Sequence, residues 1–162
     1  PKKCPLVEIY SLDEIKSVLP QVGLMREIEK GFAAYSKGDV VVPPVGEMHF
    51  DSPPGDVHIK YGYIKNDDIY VIKIASGFPR NTDHGLPNGN GMMLIFNQKT
   101  GEHLAILQDE GYLTDVRTAV AGAICAKYLA PKHEETIGIV GKGVQPRMQL
   151  DYLDGVINNK KV

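Results

Sequence analysis

Two basic residues and one pair of glycines carry most of the chemistry this sequence can do. Arg117 stands in the run Leu113-Thr114-Asp115-Val116-Arg117-Thr118-Ala119, one turn into an Ala-rich helical segment with few polar neighbours. A guanidinium there is out of place unless something anionic meets it, and its planar fork matches a carboxylate. Lys73 is flanked by Ile72 and Ile74 in a β-type run, so its side chain points to the opposite face from theirs. A surface arginine, an internal ion pair and a solvent-facing strand lysine are the plain alternatives. Further along, the β-branched run Thr136–Val140 leads into Gly141-Lys142-Gly143 and then a helical pattern opened by Val144 and Gln145. Glycines at a strand-to-helix turn let backbone N–H groups approach a pyrophosphate, and the helix dipole favours its charge. Gly141 and Gly143 fit the first two glycines of such a motif. The third small position falls on Pro146, which suits a first helical turn but not close helix–strand packing. The acidic residue that would grip a ribose, expected roughly 20 residues on, falls past Val162, so NAD and NADP are not distinguished.

The elements that must position these groups are legible from periodicity. Ser11-Leu12-Asp13-Glu14 reads as a capping box starting a short helix that runs to about Leu19 and breaks near Pro20. A second helix spans roughly Val22 to Ser36, with Leu24, Ile28, Phe32 and Tyr35 at helical spacing and Gly38 as its stop. From Val40 the period becomes two. Val57, Ile59, Tyr61 and Tyr63 alternate with His58, Lys60 and Gly62, Asn66-Asp67-Asp68 turns the chain, and Ile69–Ala75 returns it. A second hairpin joins Met92–Asn97 to His103–Gln108. The turn-rich stretch Ser76–Gly91 between them is expected to be a long loop, either a binding loop or a solvated connection. The helix from about Thr114 to Ala130 is dense in small residues and closes at Pro131. Thr136–Val140 is expected to be a buried parallel strand, followed by a helix from Val144 that fades near Gly155. Lys160-Lys161-Val162 would begin a further strand.

Composition narrows the class. With 162 residues, 43% hydrophobic and 23% charged, the chain is long enough for a full core and reads as soluble and globular. A net charge of -2 gives no electrostatic reason to expect nucleic acid or an anionic membrane as partner. Cys4 and Cys125 lie far apart without a CxxC, which argues against a disulfide framework or zinc site, and no metal is expected. Cys125 reads as a small buried hydrophobe. Pro1–Pro5 lacks the apolar stretch of a signal peptide, and no apolar run approaches a membrane span, so the cytoplasm is the expected compartment. The expected class is α+β: N-terminal helices with an antiparallel sheet over residues 1–131, then the first β-α unit of a Rossmann-like α/β domain over residues 132–162, cut short.

The run Leu113–Ala119, the Tyr128-Leu129-Ala130 closing its helix, and Gly138–Gln145 together resemble the ornithine cyclodeaminase/mu-crystallin family. Val71-Ile72-Lys73, Pro79-Arg80-Asn81, Gly85-Leu86-Pro87 and Thr100-Gly101-Glu102 follow the same pattern in the same order. The resemblance implies the N-terminal half of a protein about twice this length. It also implies a sheet that pairs with a second subunit into a barrel-like homodimer core, and a Rossmann domain for NAD or NADP. The shared activity is hydride exchange at the α-carbon of a small amino or imino acid beside its carboxylate, as in cyclodeaminases, amino-acid dehydrogenases and imine reductases. Arg117 would bind that carboxylate. Lys73 would be a second carboxylate anchor or the catalytic group that polarises the imine, with Thr118 and the Gly77–Asn81 loop lining the same pocket. Gly141, Gly143, Val144 and Gln145 would meet the cofactor.

One departure bears on the site. Many members carry an arginine directly after a Pro-Pro pair, and here Pro43-Pro44 is followed by Val45. Lys60, together with His58 on the same polar strand face, is expected to take over the role of that arginine; the plain alternative is an outer polar face. Two further readings stand beside the enzyme: a non-catalytic crystallin-like small-ligand or hormone-binding protein, and a truncated dimerisation module.

Overall fold

A computed structural model of the chain describes residues 6–131 and 136–157. Cys4 and the strand expected at Lys160–Val162 lie outside the described residues. The chain divides into two compact units. One holds Ala33–Tyr112 with the N-terminal segment up to Gln21; the other holds Val22–Phe32 and the chain from Leu113 onward. Compactness thus groups the described chain differently from a division at 131/132.

The first unit is a mixed sheet. Its described strands are β1 (Glu8–Tyr10), β2 (Val40–Val41), β3 (Gly46–Asp51), β4 (Pro54–Ile64), β5 (Ile69–Gly77), β6 (Gly89–Asn97) and β7 (His103–Leu107). They lie in the order β1-β7-β6-β5-β4-β2, with β3 also on β4. All pairings are antiparallel except β1 on β7, which is parallel and makes the sheet mixed where an antiparallel one was expected. The long β4 serves two neighbours on one edge: its first half carries β3 and its end carries β2. Within the described residues this order runs from one edge to the other without closing on itself.

The expected capping box is present. The Ser11 hydroxyl accepts from the Glu14 amide, and the Glu14 carboxylate accepts from the Ser11 amide, opening helix α1 (Leu12–Val18). A short 3-10 turn, Leu19–Gln21, follows at Pro20. The loop expected over 76–91 is shorter than its composition suggests. Ser76 pairs with Asn90 and Gly77 with Gly89, so glycines at its ends continue the β5–β6 hairpin. Inside, a 3-10 turn over Pro79–His84 is closed by Gly85 at φ 69°, and the Asn81 amide donates to the Pro87 carbonyl at 2.9 Å.

The second unit contains most of helix α2 (Leu24–Ser36) and the helices α3 (Tyr112–Leu129) and α4 (Val144–Leu153). The deepest apolar residues, Val116, Ala119, Val120, Ala123 and Ile124, form one stripe of α3 at three- and four-residue spacing. A Cβ at Gly122 would lie 2.8 Å from Gln149 Oε1, the end of a flexible side chain on α4. Cys125 is exposed, off the buried stripe, which corrects its reading as a buried hydrophobe. Residues 136–140 are not a strand, and Val140 is 98% exposed. A parallel strand is held by neighbouring strands on its edges, and no described residue pairs with this segment. It runs instead along α4, beside an open groove lined by Ile137, Ile139, Leu150 and Leu153.

Candidate functional site

In the sheet unit, strand register brings the expected cations together. Lys60 on β4 stands directly opposite Lys73 on β5, and the row continues through Met93 on β6 to Leu107 on β7. Paired residues share a face, so both ammonium groups rise from one side of the sheet. The flanking rows on that face mix small and larger residues: His58–Ala75–Gly91 on one side, Gly62–Val71–Ile95 on the other. Gly91 has a structural reason to be small, because a Cβ there would meet the Ile74 carbonyl at 2.8 Å. Lys73 is partly buried and Lys60 exposed.

His58 shares the face but is already engaged. Its Nδ1 lies 3.5 Å from Glu47 Oε1 and its Nε2 3.4 Å from Asp56 Oδ1, while His49 Nε2 lies 3.6 Å from Glu47 Oε2. These contacts turn its ring toward Glu47 on β3 and Asp56 on its own strand. Strand β3 itself was missed from sequence, although Met48 and Phe50 alternating with Glu47, His49 and Asp51 is the signal that marks it. No group of His, Cys, Asp and Glu among the described residues is arranged to hold a metal ion.

The second unit holds the other expected groups. Arg117 is exposed on α3, with its guanidinium carbon 5.6 Å from the centre of the Phe32 ring. A guanidinium stacked on an aromatic face keeps its in-plane N–H donors available to an anion. The Thr118 hydroxyl donates to the Thr114 carbonyl at 2.7 Å, a bond within its own helix. Gln145 Nε2 donates to both the carbonyl and the carboxylate of Asp115, at 3.1 and 2.9 Å, and so ties the start of α4 to the start of α3.

The Gly-x-Gly turn has the backbone a phosphate site needs. Gly141 sits at φ 104°, a conformation that side-chain-bearing residues rarely adopt. Gly143 is the N-cap of α4, and no side chain among the described residues caps the helix there. Its first N–H groups are thereby open to an anion. A Cβ at Gly141 would touch Pro146 Cγ at 3.5 Å, so the irregular proline packs on the turn in ordinary contact without closing it.

Known proteins resemble this chain over nearly its whole length. The model of the ornithine cyclodeaminase/mu-crystallin family matches residues 8–162. An uncharacterized cyclodeaminase of Sinorhizobium fredii is 38% identical over 151 residues, which cover 92% of this chain and 46% of that protein. Among solved structures, an archaeal alanine dehydrogenase dimer with bound NAD superposes with a TM-score of 0.85 at 29% identity, covering 94% of this chain and 46% of that one. The Thermococcus litoralis Δ(1)-pyrroline-2-carboxylate reductase, in complex with NADH and L-proline, superposes with a TM-score of 0.87 at 28% identity, covering 94% and 47%. The chain spans about half the length of the curated relatives it matches.

Proposed function

This chain belongs to the ornithine cyclodeaminase/mu-crystallin family, and from that premise we propose that it is the N-terminal part of an NAD(P)-dependent enzyme acting on a small amino or imino acid. The observation that carries the reading is the directly opposed Lys60–Lys73 pair on one face of the sheet. Lys73 anchors the substrate carboxylate or polarises the imine nitrogen beside it. Lys60 supplies the cation missing after Pro43-Pro44, and His58, held by Glu47 and Asp56, fixes the charge next to it. Arg117, its guanidinium over the Phe32 ring, offers a bidentate fork to a carboxylate. Thr118, bonded back to its own helix, stands beside it on α3 as a further substrate contact.

The residues of the Gly-x-Gly turn fit a dinucleotide: Gly141 and Gly143, with the amides of Val144 and Gln145, would hold its pyrophosphate. The nicotinamide supplies the hydride acceptor or donor. The division of labour follows: residues 1–131 bind substrate and dimerise, and residues 132–162 begin the cofactor domain. The sheet's other face carries partly exposed Met48, Tyr61 and Met92, a surface suited to a second copy in a barrel-like homodimer. No helix among the described residues is long and apolar enough to cross a membrane, and we place the protein in the cytoplasm.

The test uses the full-length protein that carries this sequence. L-amino acids deuterated at the α-carbon are incubated with NAD or NADP, and the reduced nicotinamide is examined for deuterium. Transfer of the label supports the reading. Ligand binding without transfer for any amino acid, or for the matching imines with reduced cofactor, would replace it with the crystallin-like binding protein.

A further inference from the structure

The side chain of Gln145 is engaged within the protein. Gln145 is the second residue of α4, directly after the Gly-x-Gly turn. Its Nε2 donates to the Asp115 carbonyl at 3.1 Å and to Asp115 Oδ1 at 2.9 Å. One turn further along α4, Gln149 brings its Nε2 to 3.5 Å from Gln145 Oε1, which keeps the nitrogen end of the Gln145 amide toward α3. The main-chain N–H of Gln145 is left for a phosphate. Asp115 and Arg117 stand two residues apart in the opening turns of α3, so a bond that holds Asp115 also holds the backbone carrying Arg117. The Arg117 guanidinium rests over Phe32. The fork is thus supported at its tip by an aromatic ring and at its base, through Asp115, by Gln145. The bridge is half-buried, where water competes with it less than at an open surface.

The value of such a bridge follows from the function just proposed, on which this inference rests. Hydride exchange requires the carbon beside the carboxylate to be held at a fixed distance from the nicotinamide, and a misplacement of about 1 Å can cost on the order of a hundredfold in rate. The carboxylate fork and the pyrophosphate turn belong to different helices, and Gln145 joins those helices at their starts. We propose that Gln145 is a positioning residue: its bridge to Asp115 sets where Arg117 stands relative to the turn that holds the cofactor.

The test compares full-length Gln145→Leu, Asp115→Ala and Asp115→Asn with the wild type. Gln145→Leu removes both bonds at similar volume, Asp115→Ala leaves the carbonyl bond, and Asp115→Asn keeps a side-chain acceptor. The value of kcat/KM is measured on the amino acid that passes deuterium to the nicotinamide, per NADH-binding site counted by fluorescence titration. The expected result is a fall of roughly tenfold or more in Gln145→Leu, a smaller one in Asp115→Ala and the smallest in Asp115→Asn, with the affinity for NADH unchanged. Added to Arg117→Lys, Gln145→Leu costs little more, because it acts through Arg117. A merely structural bridge would instead lower the number of NADH-binding sites or their affinity and leave kcat/KM per site at the wild-type value. That result overturns the proposal, as does a full additive loss in the Arg117→Lys background. If the wild type turns over an amino acid and Gln145→Leu does so equally well, the positioning role alone fails. If the wild type turns over no amino acid or imine, the enzymatic reading fails and this proposal with it.

Discussion

Lys60 and Lys73 stand directly opposite one another on β4 and β5, and the proposed carboxylate site can be tested at the first of them. Lys60→Met in the full-length protein is expected to raise KM for a carboxylate substrate. An unchanged KM would remove Lys60 from the site. A second charge pair acts on stability alone. The Lys127 ammonium, 2.7 Å from Glu29 Oε1, holds the Glu29 carboxyl below the usual carboxylate range, and Glu29 in turn raises Lys127. A lowered carboxylate pKa stabilises above its unfolded value of about 4.3 and is lost as pH falls through the folded value. A raised lysine pKa stabilises below about 10.4 and is lost as pH rises through its folded value. Glu29→Gln should accordingly lower stability between those limits and flatten the acid side of a denaturation profile measured against pH. Alternation in the sequence is enough to put Lys60, His58 and Lys73 on a polar face. That Lys60 meets Lys73, and that His58 turns to Glu47, depends on the register between strands, which no single strand contains.

At the scale of elements, two glycines are demanded by geometry. A Cβ on Gly62 would lie 2.5 Å from the Val41 carbonyl oxygen, a backbone atom that cannot swing away. Gly62→Ala must part β2 from β4 or bend both. Overpacking of this kind costs about 1–3 kcal/mol, and chemical denaturation of the variant should show a loss in that range. Gly141 is required by its positive φ, and Gly141→Ala should weaken NADH binding, followed by fluorescence titration, with little change in substrate recognition. The hairpins and helices were readable because each is long enough to show its period and is bounded by turn residues. Strand β1 was not, since Glu8–Tyr10 is three residues long and pairs with β7 nearly a hundred positions away. The segment 136–140 failed in the opposite sense: its β-branched composition describes a strand, but strand geometry requires an edge to pair with, and the described residues offer none.

At the scale of the whole molecule, the sheet presents two dissimilar faces. One carries the lysines. The other carries partly exposed Met48, Tyr61 and Met92, the kind of apolar patch that marks an association surface. Met92→Glu on that face is expected to shift the full-length protein from dimer to monomer in light scattering, whereas a wild type that is monomeric at micromolar concentration would argue against the dimer. The motifs announce the family from residue types and order alone, because Lys73, Arg117 and the Gly141–Gly143 turn each keep their local sequence context. What the second unit does with its exposed Gly-x-Gly turn is a matter of cofactor chemistry, and the central claim rests on cofactor and carboxylate being held by different residues. The most direct measurement is steady-state kinetics of full-length Lys73→Met and Arg117→Lys, paired with titration of NADH. The account predicts that each substitution raises KM for the amino or imino acid by about tenfold or more, the loss of a charge-assisted bond, with the affinity for NADH unchanged. An unchanged KM in both variants, or no binding of NADH or NADPH by the wild type, would contradict it.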